Sequence, residues 1–111
     1  MTINFNSLPC LYWSIKTKIE YIQRKIIVYS IMYYELNDSC ISDKDFDELS
    51  KQLLELKKAN PEEYKKTKYY YVLNDFDGST GFYIPDKLNK QDKEHLTNIS
   101  RYVLKLYHNE R

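Results

Sequence analysis

Tyr33-Tyr34-Glu35-Leu36-Asn37-Asp38-Ser39-Cys40-Ile41-Ser42-Asp43-Lys44-Asp45-Phe46-Asp47 is the stretch whose reading decides how this chain folds. Two aromatics close one periodic segment, short polar residues follow, and an acidic, aromatic start opens another. Asn37-Asp38-Ser39 favour a turn because their side chains bond to nearby backbone and compete with a helical ladder. Upstream, Ile15, Ile19, Ile22, Ile26, Tyr29 and Tyr33 recur at spacings of four, three, four, three and four. That is one apolar stripe on a helix from about residue 11 to residue 36. Lys16, Lys18, Glu20, Arg24 and Lys25 lie mostly off it. Downstream, Ser42 reads as an N-cap, Asp45 completes a capping-box-like arrangement, and Phe46, Leu49, Leu53 and Leu56 form a second stripe. Pro61 ends this helix or opens a short further turn. The two stripes predict an antiparallel helical hairpin over 11–62, with the quoted residues gathered at its connecting end.

After Lys65-Lys66-Thr67-Lys68 the character changes. Tyr69-Tyr70-Tyr71-Val72-Leu73 is aromatic and β-branched, Asn74 to Gly81 is rich in turn formers, and Phe82-Tyr83-Ile84 follows, so a small β-hairpin is expected. A third helix is expected from about Asn89 to His108, with Leu96, Ile99, Val103 and Leu106 in register and start signals at Asn89 to Asp92. The fold class is therefore mainly α with a minor β part. It is a single domain over 1–111 in which 63–111 adds the β-hairpin and C-terminal helix to the helical hairpin. Forty-two per cent hydrophobic residues support such a core, and a homodimer is one way for so small a core to gain stability.

Composition narrows the function classes. Seventeen Lys and Arg against sixteen Asp and Glu leave a net charge of +1, so no global field draws the chain to nucleic acid or to an anionic membrane. Cys10 and Cys40 have no CxxC or Cys/His spacing, which predicts reduced thiols in a cytoplasmic protein and no metal framework. No basic leader or long apolar span is evident, so no membrane association is expected. His95 and His108 have no Ser or Cys placed by sequence as a nucleophile, so hydrolase chemistry is not expected. Lys65, Lys66 and Lys68 beside three tyrosines are explained as well by a solvated lysine run as by a single-strand-binding patch.

The ordered set Tyr33-Tyr34, Ile41-Ser42-Asp43, Phe46-Asp47 and Asn60-Pro61-Glu62 resembles the N-terminal Ia module of bacterial NAD-dependent DNA ligases, over roughly residues 20 to 62. That module recognises the nicotinamide mononucleotide (NMN) half of NAD. The resemblance implies that Tyr33 and Phe46 flank the nicotinamide ring, that Tyr34 lies toward the phosphate, and that Asp43 and Asp47 hold the polar edges. Phe46 departs from the family, which usually has Tyr there. In the ligases a second wall comes from the adenylation domain, and 111 residues do not hold a ligase's remaining parts. Asp75-Phe76-Asp77-Gly78 is similar to the end of the Lys-x-Asp-Gly box that carries AMP. However, Asp75 stands at the nucleophile's place and cannot form a lysyl-adenylate, so these residues read as a turn.

The residues also argue for themselves. Asp43 and Asp47, four apart, share a helix face near Phe46, and nicotinamide in NMN is a pyridinium cation. An aromatic face attracts such a cation by roughly 0.5 to 2 kcal/mol, and carboxylates accept charge-assisted hydrogen bonds from ribose or carboxamide. A plainer reading stands beside this one. Acids in a first helical turn gain about 0.3 to 1 kcal/mol each from the helix dipole, and Tyr33 and Phe46 also continue the core stripes. Two functions stay open. One is a non-catalytic module that needs no cofactor, and that binds NMN or NAD or lends this half-site to a partner. The other is a phage- or plasmid-encoded inhibitor of a host defence enzyme, anti-CRISPR or similar. It would reuse the scaffold and dock a partner protein through Tyr69, Tyr70, Tyr71, Phe82 and Tyr83, since tyrosine is enriched in interface hot spots.

Overall fold

The first helix organises everything else. A computed structural model describes residues 13–109, and within them α1 (Ile15–Tyr34) starts at Ser14, whose Oγ accepts the Thr17 N–H at 3.1 Å. From Lys25 to Met32 every residue of α1 is buried. The sequence implied a one-sided stripe. The helix is instead enclosed, because α2 (Asp43–Ala59), α3 (Pro61–Lys65), α5 (Ile84–Lys87) and α6 (Lys90–Asn109) all pack on it. Gln23, Lys25 and Ser30 are therefore buried along with the isoleucines. Gln23 donates from Nε2 to Thr67 Oγ1 at 3.0 Å, and Lys25 holds its ammonium 5.2 Å over the Tyr21 ring. Cys10 and the first residues of the expected helix lie outside the described residues.

The quoted run folds as its chemistry requires. Asn37 turns the chain at a φ of +55°, and the Leu36 and Asp38 N–H groups bond back to the Ile31 and Met32 carbonyls at 3.0 and 2.9 Å. Ser42 caps α2 by accepting the Asp45 N–H at 3.1 Å. Asp43 and Asp45 lie in the first turn, and Lys57 and Lys58 in the last, as the helix dipole favours. Leu53 is fully buried against α1. Asn60 both ends α2 and precedes α3, which has Pro61 at its start.

The β-hairpin expected over 69–84 does not form, and no strand occurs among the described residues. Tyr69, Val72, Leu73 and Phe76 are the buried positions from 69 to 76, a spacing of three, one and three that belongs to a helical turn and not to an alternating strand. The chain makes the short helix α4 (Tyr70–Leu73), anchored by the Val72 and Leu73 N–H groups on the Tyr69 carbonyl, each at 3.0 Å. Tyr64 reinforces it by donating its hydroxyl to the Leu73 carbonyl at 2.7 Å. The second expected strand becomes α5, where Pro85 in the first turn lacks the N–H that a ladder would need. Strand propensity was outweighed by burial period and by a proline.

α6 packs on α1 and buries Leu96, Ser100 and Leu104, with Ile99 and Val103 packed beside them. Ser100 is small enough to bring the helices together, and its Oγ donates to the Leu96 carbonyl at 2.7 Å, with the Val28 carbonyl 3.3 Å away. Lys93 pairs with Glu35 at 2.8 Å, and His108 Nε2 lies 2.7 Å from Asp38 Oδ2. Both contacts tie α6 to the turn that follows α1.

Candidate functional site

A cavity of about 340 Å³ opens where the α1–α2 turn meets the loop before α5. The last turn of α1 contributes Tyr29, Ser30, Tyr33 and Tyr34. The turn and the start of α2 contribute Ser39, Ile41, Ser42, Asp43, Phe46 and Asp47, and the loop contributes Ser79, Thr80 and Gly81. Tyr33, Tyr34, Asp43, Phe46 and Asp47, the residues the sequence singled out, thus share one cavity. Tyr33 ends the apolar stripe of α1 yet is 56 % exposed, so a core role does not explain it. Its ring meets the Tyr34 ring edge-to-face at 4.8 Å. Phe46 is half-buried and packs against the core while lining the cavity.

The charge of the lining is one-sided. Asp43 and Asp47 bring two carboxylates, and among the described residues no lysine, arginine or histidine lines the cavity. Tyr29 sits beneath with its phenol pushed far up, mainly by burial and further by Cys40, Tyr21 and Asp45. It stays a neutral donor. Cys40 is a half-buried thiol 3.7 Å from Met32 Sδ, and burial raises its pKa as well. A cavity of this kind receives a cation with an aromatic face more readily than an anion.

Ser79, Thr80 and Gly81 escaped the sequence reading because they belonged to the turn of an expected hairpin. The loop that carries them is built from local side-chain bonds. Asp77 Oδ1 accepts the Ser79 N–H at 2.9 Å and the Ser79 hydroxyl at 2.6 Å, and these bonds hold its carboxyl below the ordinary range. Gly78 takes a φ of +83°, and Thr80 Oγ1 accepts the Phe82 N–H at 3.1 Å. Thr80 Oγ1 also lies 3.3 Å from the Tyr34 hydroxyl, and Phe82 meets the Tyr34 ring edge-to-face at 5.4 Å. Both glycines of the chain lie in this loop.

The partner-docking set divides. Tyr69 is buried, Tyr70 is half-buried with its ring 6.0 Å from Tyr64, and the Tyr71 hydroxyl is held by Asp92 and the Asn89 N–H. Phe82 and Tyr83 present the most open faces, at 54 % and 63 % exposure, and Tyr71 is exposed to a lesser degree. Lys65 and Lys66 are paired with Glu62 and Glu63 one turn back, and Lys68 lies over Tyr69. No helix among the described residues is long and apolar enough to cross a membrane.

Residues 13–67, just under half of the chain, match the family model described as DNA ligase-like, N-terminal NAD+-binding domain. The DNA ligase of Thermosipho africanus is 42 % identical over 52 residues, 47 % of this chain and 8 % of that protein. The DNA ligases of Endomicrobium trichonymphae and Pseudothermotoga lettingae are 38 % and 42 % identical over 48 residues, in each case 43 % of this chain and 7 % of the relative. The chain therefore matches less than a tenth of the length of these relatives, within their N-terminal region. No solved structure matches it.

Proposed function

With residues 13–67 matching the N-terminal NAD+-binding domain of DNA ligase, we propose that this chain is a binding module for the nicotinamide mononucleotide half of NAD. One observation carries the reading. The aromatics and acids expected from the ligase resemblance line a single cavity that holds two carboxylates and, among the described residues, no basic side chain. The pyridinium ring lies against Tyr33 and Phe46, a contact worth about 0.5 to 2 kcal/mol. Asp43 and Asp47 accept hydrogen bonds from ribose hydroxyls or the carboxamide, each roughly twice as strong as a neutral bond. The phosphate points to the rim beside Tyr34, away from the carboxylates. At about 340 Å³ the cavity stands at the small end of ligand sites, which run from about 300 to 1,000 Å³.

The module binds and does not transfer a nucleotidyl group. Asp75, at the place of a lysine nucleophile, forms an ion pair with Lys87 on the far side of the loop. The separate partner-docking surface has lost its hairpin, and Phe82, one of its exposed residues, packs on Tyr34 at the cavity rim.

Calorimetric titration of NMN into the chain and into Asp43→Asn/Asp47→Asn tests the proposal. Saturable binding to the parent chain, weakened at least about tenfold in the double variant and absent with AMP, is the expected result. Equal affinity in parent and variant would remove the acids from the site.

A further inference from the structure

We propose that Ser79, Thr80 and Gly81 form the second wall of the nicotinamide site, so that this chain encloses the ligand with its own residues where a ligase uses another domain. The proposal rests on the reading of the cavity given above. The wall lies beyond residues 13–67, the part that matches the ligase module, and faces that part across the cavity.

Three contacts fix the wall. The Tyr34 hydroxyl meets Thr80 Oγ1, and the Phe82 ring covers the Tyr34 edge. Gly81 is pressed onto α1 so closely that a Cβ there would lie 2.4 Å from Ser30 Oγ and 3.3 Å from Ser30 Cβ. A side chain there would have to push Ser30 Oγ off the Ile26 carbonyl it donates to, so glycine suits that approach. The same Cβ would lie 3.4 Å from Phe46 Cζ, the ring atom on which a tyrosine carries its hydroxyl. Phe46 carries no hydroxyl at this contact, so the loop packs directly on its ring.

The wall also has suitable chemistry. Opposite the carboxylates it presents peptide groups and the Thr80 hydroxyl, which hydrogen-bond a carboxamide or a ribose. Ser79 and Thr80 line a second, smaller cavity on the other side of the loop, bounded by Phe76, Tyr83 and Lys87. The loop is thus a partition with one face in each cavity.

An NMR titration of the full labelled chain with NMN tests the wall. The proposal expects saturable shifts at the Thr80 and Gly81 amides, with the same midpoint as those at Tyr33, Asp43, Phe46 and Asp47. It also expects nuclear Overhauser contacts from the nicotinamide protons to Thr80 or Gly81. Gly81→Ala should weaken NMN about tenfold by lifting the loop, and Ser30→Ala in the same chain should restore most of the loss by removing the colliding oxygen. Shifts confined to residues 33–47, with Gly81→Ala binding as the parent does, would overturn the wall and leave the site standing. Silence of the parent chain toward NMN would overturn both.

Discussion

Tyr64 shows how much of this protein is set by single buried groups. Its ring is enclosed between α1 and the segment around α4, its hydroxyl donates to the Leu73 carbonyl at 2.7 Å, and burial pushes its pKa up to about 12. Tyr71 is raised to about 12 as well, by burial first and then by the Asp92 carboxylate that accepts its hydrogen bond. The unfolded chain releases these protons near the ordinary value of 10.0, whereas the folded chain keeps them to about 12. Between those values the native state binds more protons, so stability is fully present below pH 10 and falls as pH rises toward about 12. Melting temperatures measured across that range should decline, and less steeply in Tyr64→Phe. A flat profile, or an unchanged slope in Tyr64→Phe, would remove Tyr64 from this role. At the cavity, Tyr33 and Phe46 looked equally like core residues from their spacing. Solvent exposure separates them: Tyr33 stands open at the rim, whereas Phe46 both packs and lines.

Among the elements, α2 is the one whose start positions the acids. Ser42 Oγ accepts the Asp45 N–H, which fixes the first turn and so the direction of Asp43 and Asp47. Ser42→Ala should cost about 1 kcal/mol of stability, read as a shift of the urea midpoint at constant slope, while Ser42→Asp should keep most of it. A midpoint unmoved by Ser42→Ala would show that packing alone holds this helix end. This cap was legible in the sequence, as were the turn at Asn37-Asp38-Ser39, the second helix and the span of α6. Each of these depends on interactions within a few residues. The enclosure of α1 on all sides was not legible, because it depends on which elements return to it from as far as 72 positions away. The segment 69–84 was misread for a related reason. Aromatic and β-branched residues suit strands and short helices alike, and the buried spacing of Tyr69, Val72, Leu73 and Phe76 carried the better signal.

In the molecule as a whole, the ligase-like hairpin supplies one side of a cavity and the remainder of the chain returns to supply the other. That return depends on contacts far apart in sequence: Thr80 with Tyr34, Gly81 with Ser30, His108 with Asp38 and Lys93 with Glu35. Five site residues could be named from a local motif, since they lie within fifteen positions of one another. The wall could not, since nothing local marks Ser79 to Gly81 as more than a turn. The central claim is that an acidic, aromatic cavity recognises the positive charge of an oxidised nicotinamide. Comparing oxidised and reduced NMN tests it most directly, because reduction discharges the ring while leaving ribose, phosphate and carboxamide in place. In parallel NMR titrations, oxidised NMN should shift Tyr33, Asp43, Phe46 and Asp47 saturably, and reduced NMN should bind at least about tenfold more weakly. Equal binding of the two forms, or binding of neither, would contradict the account.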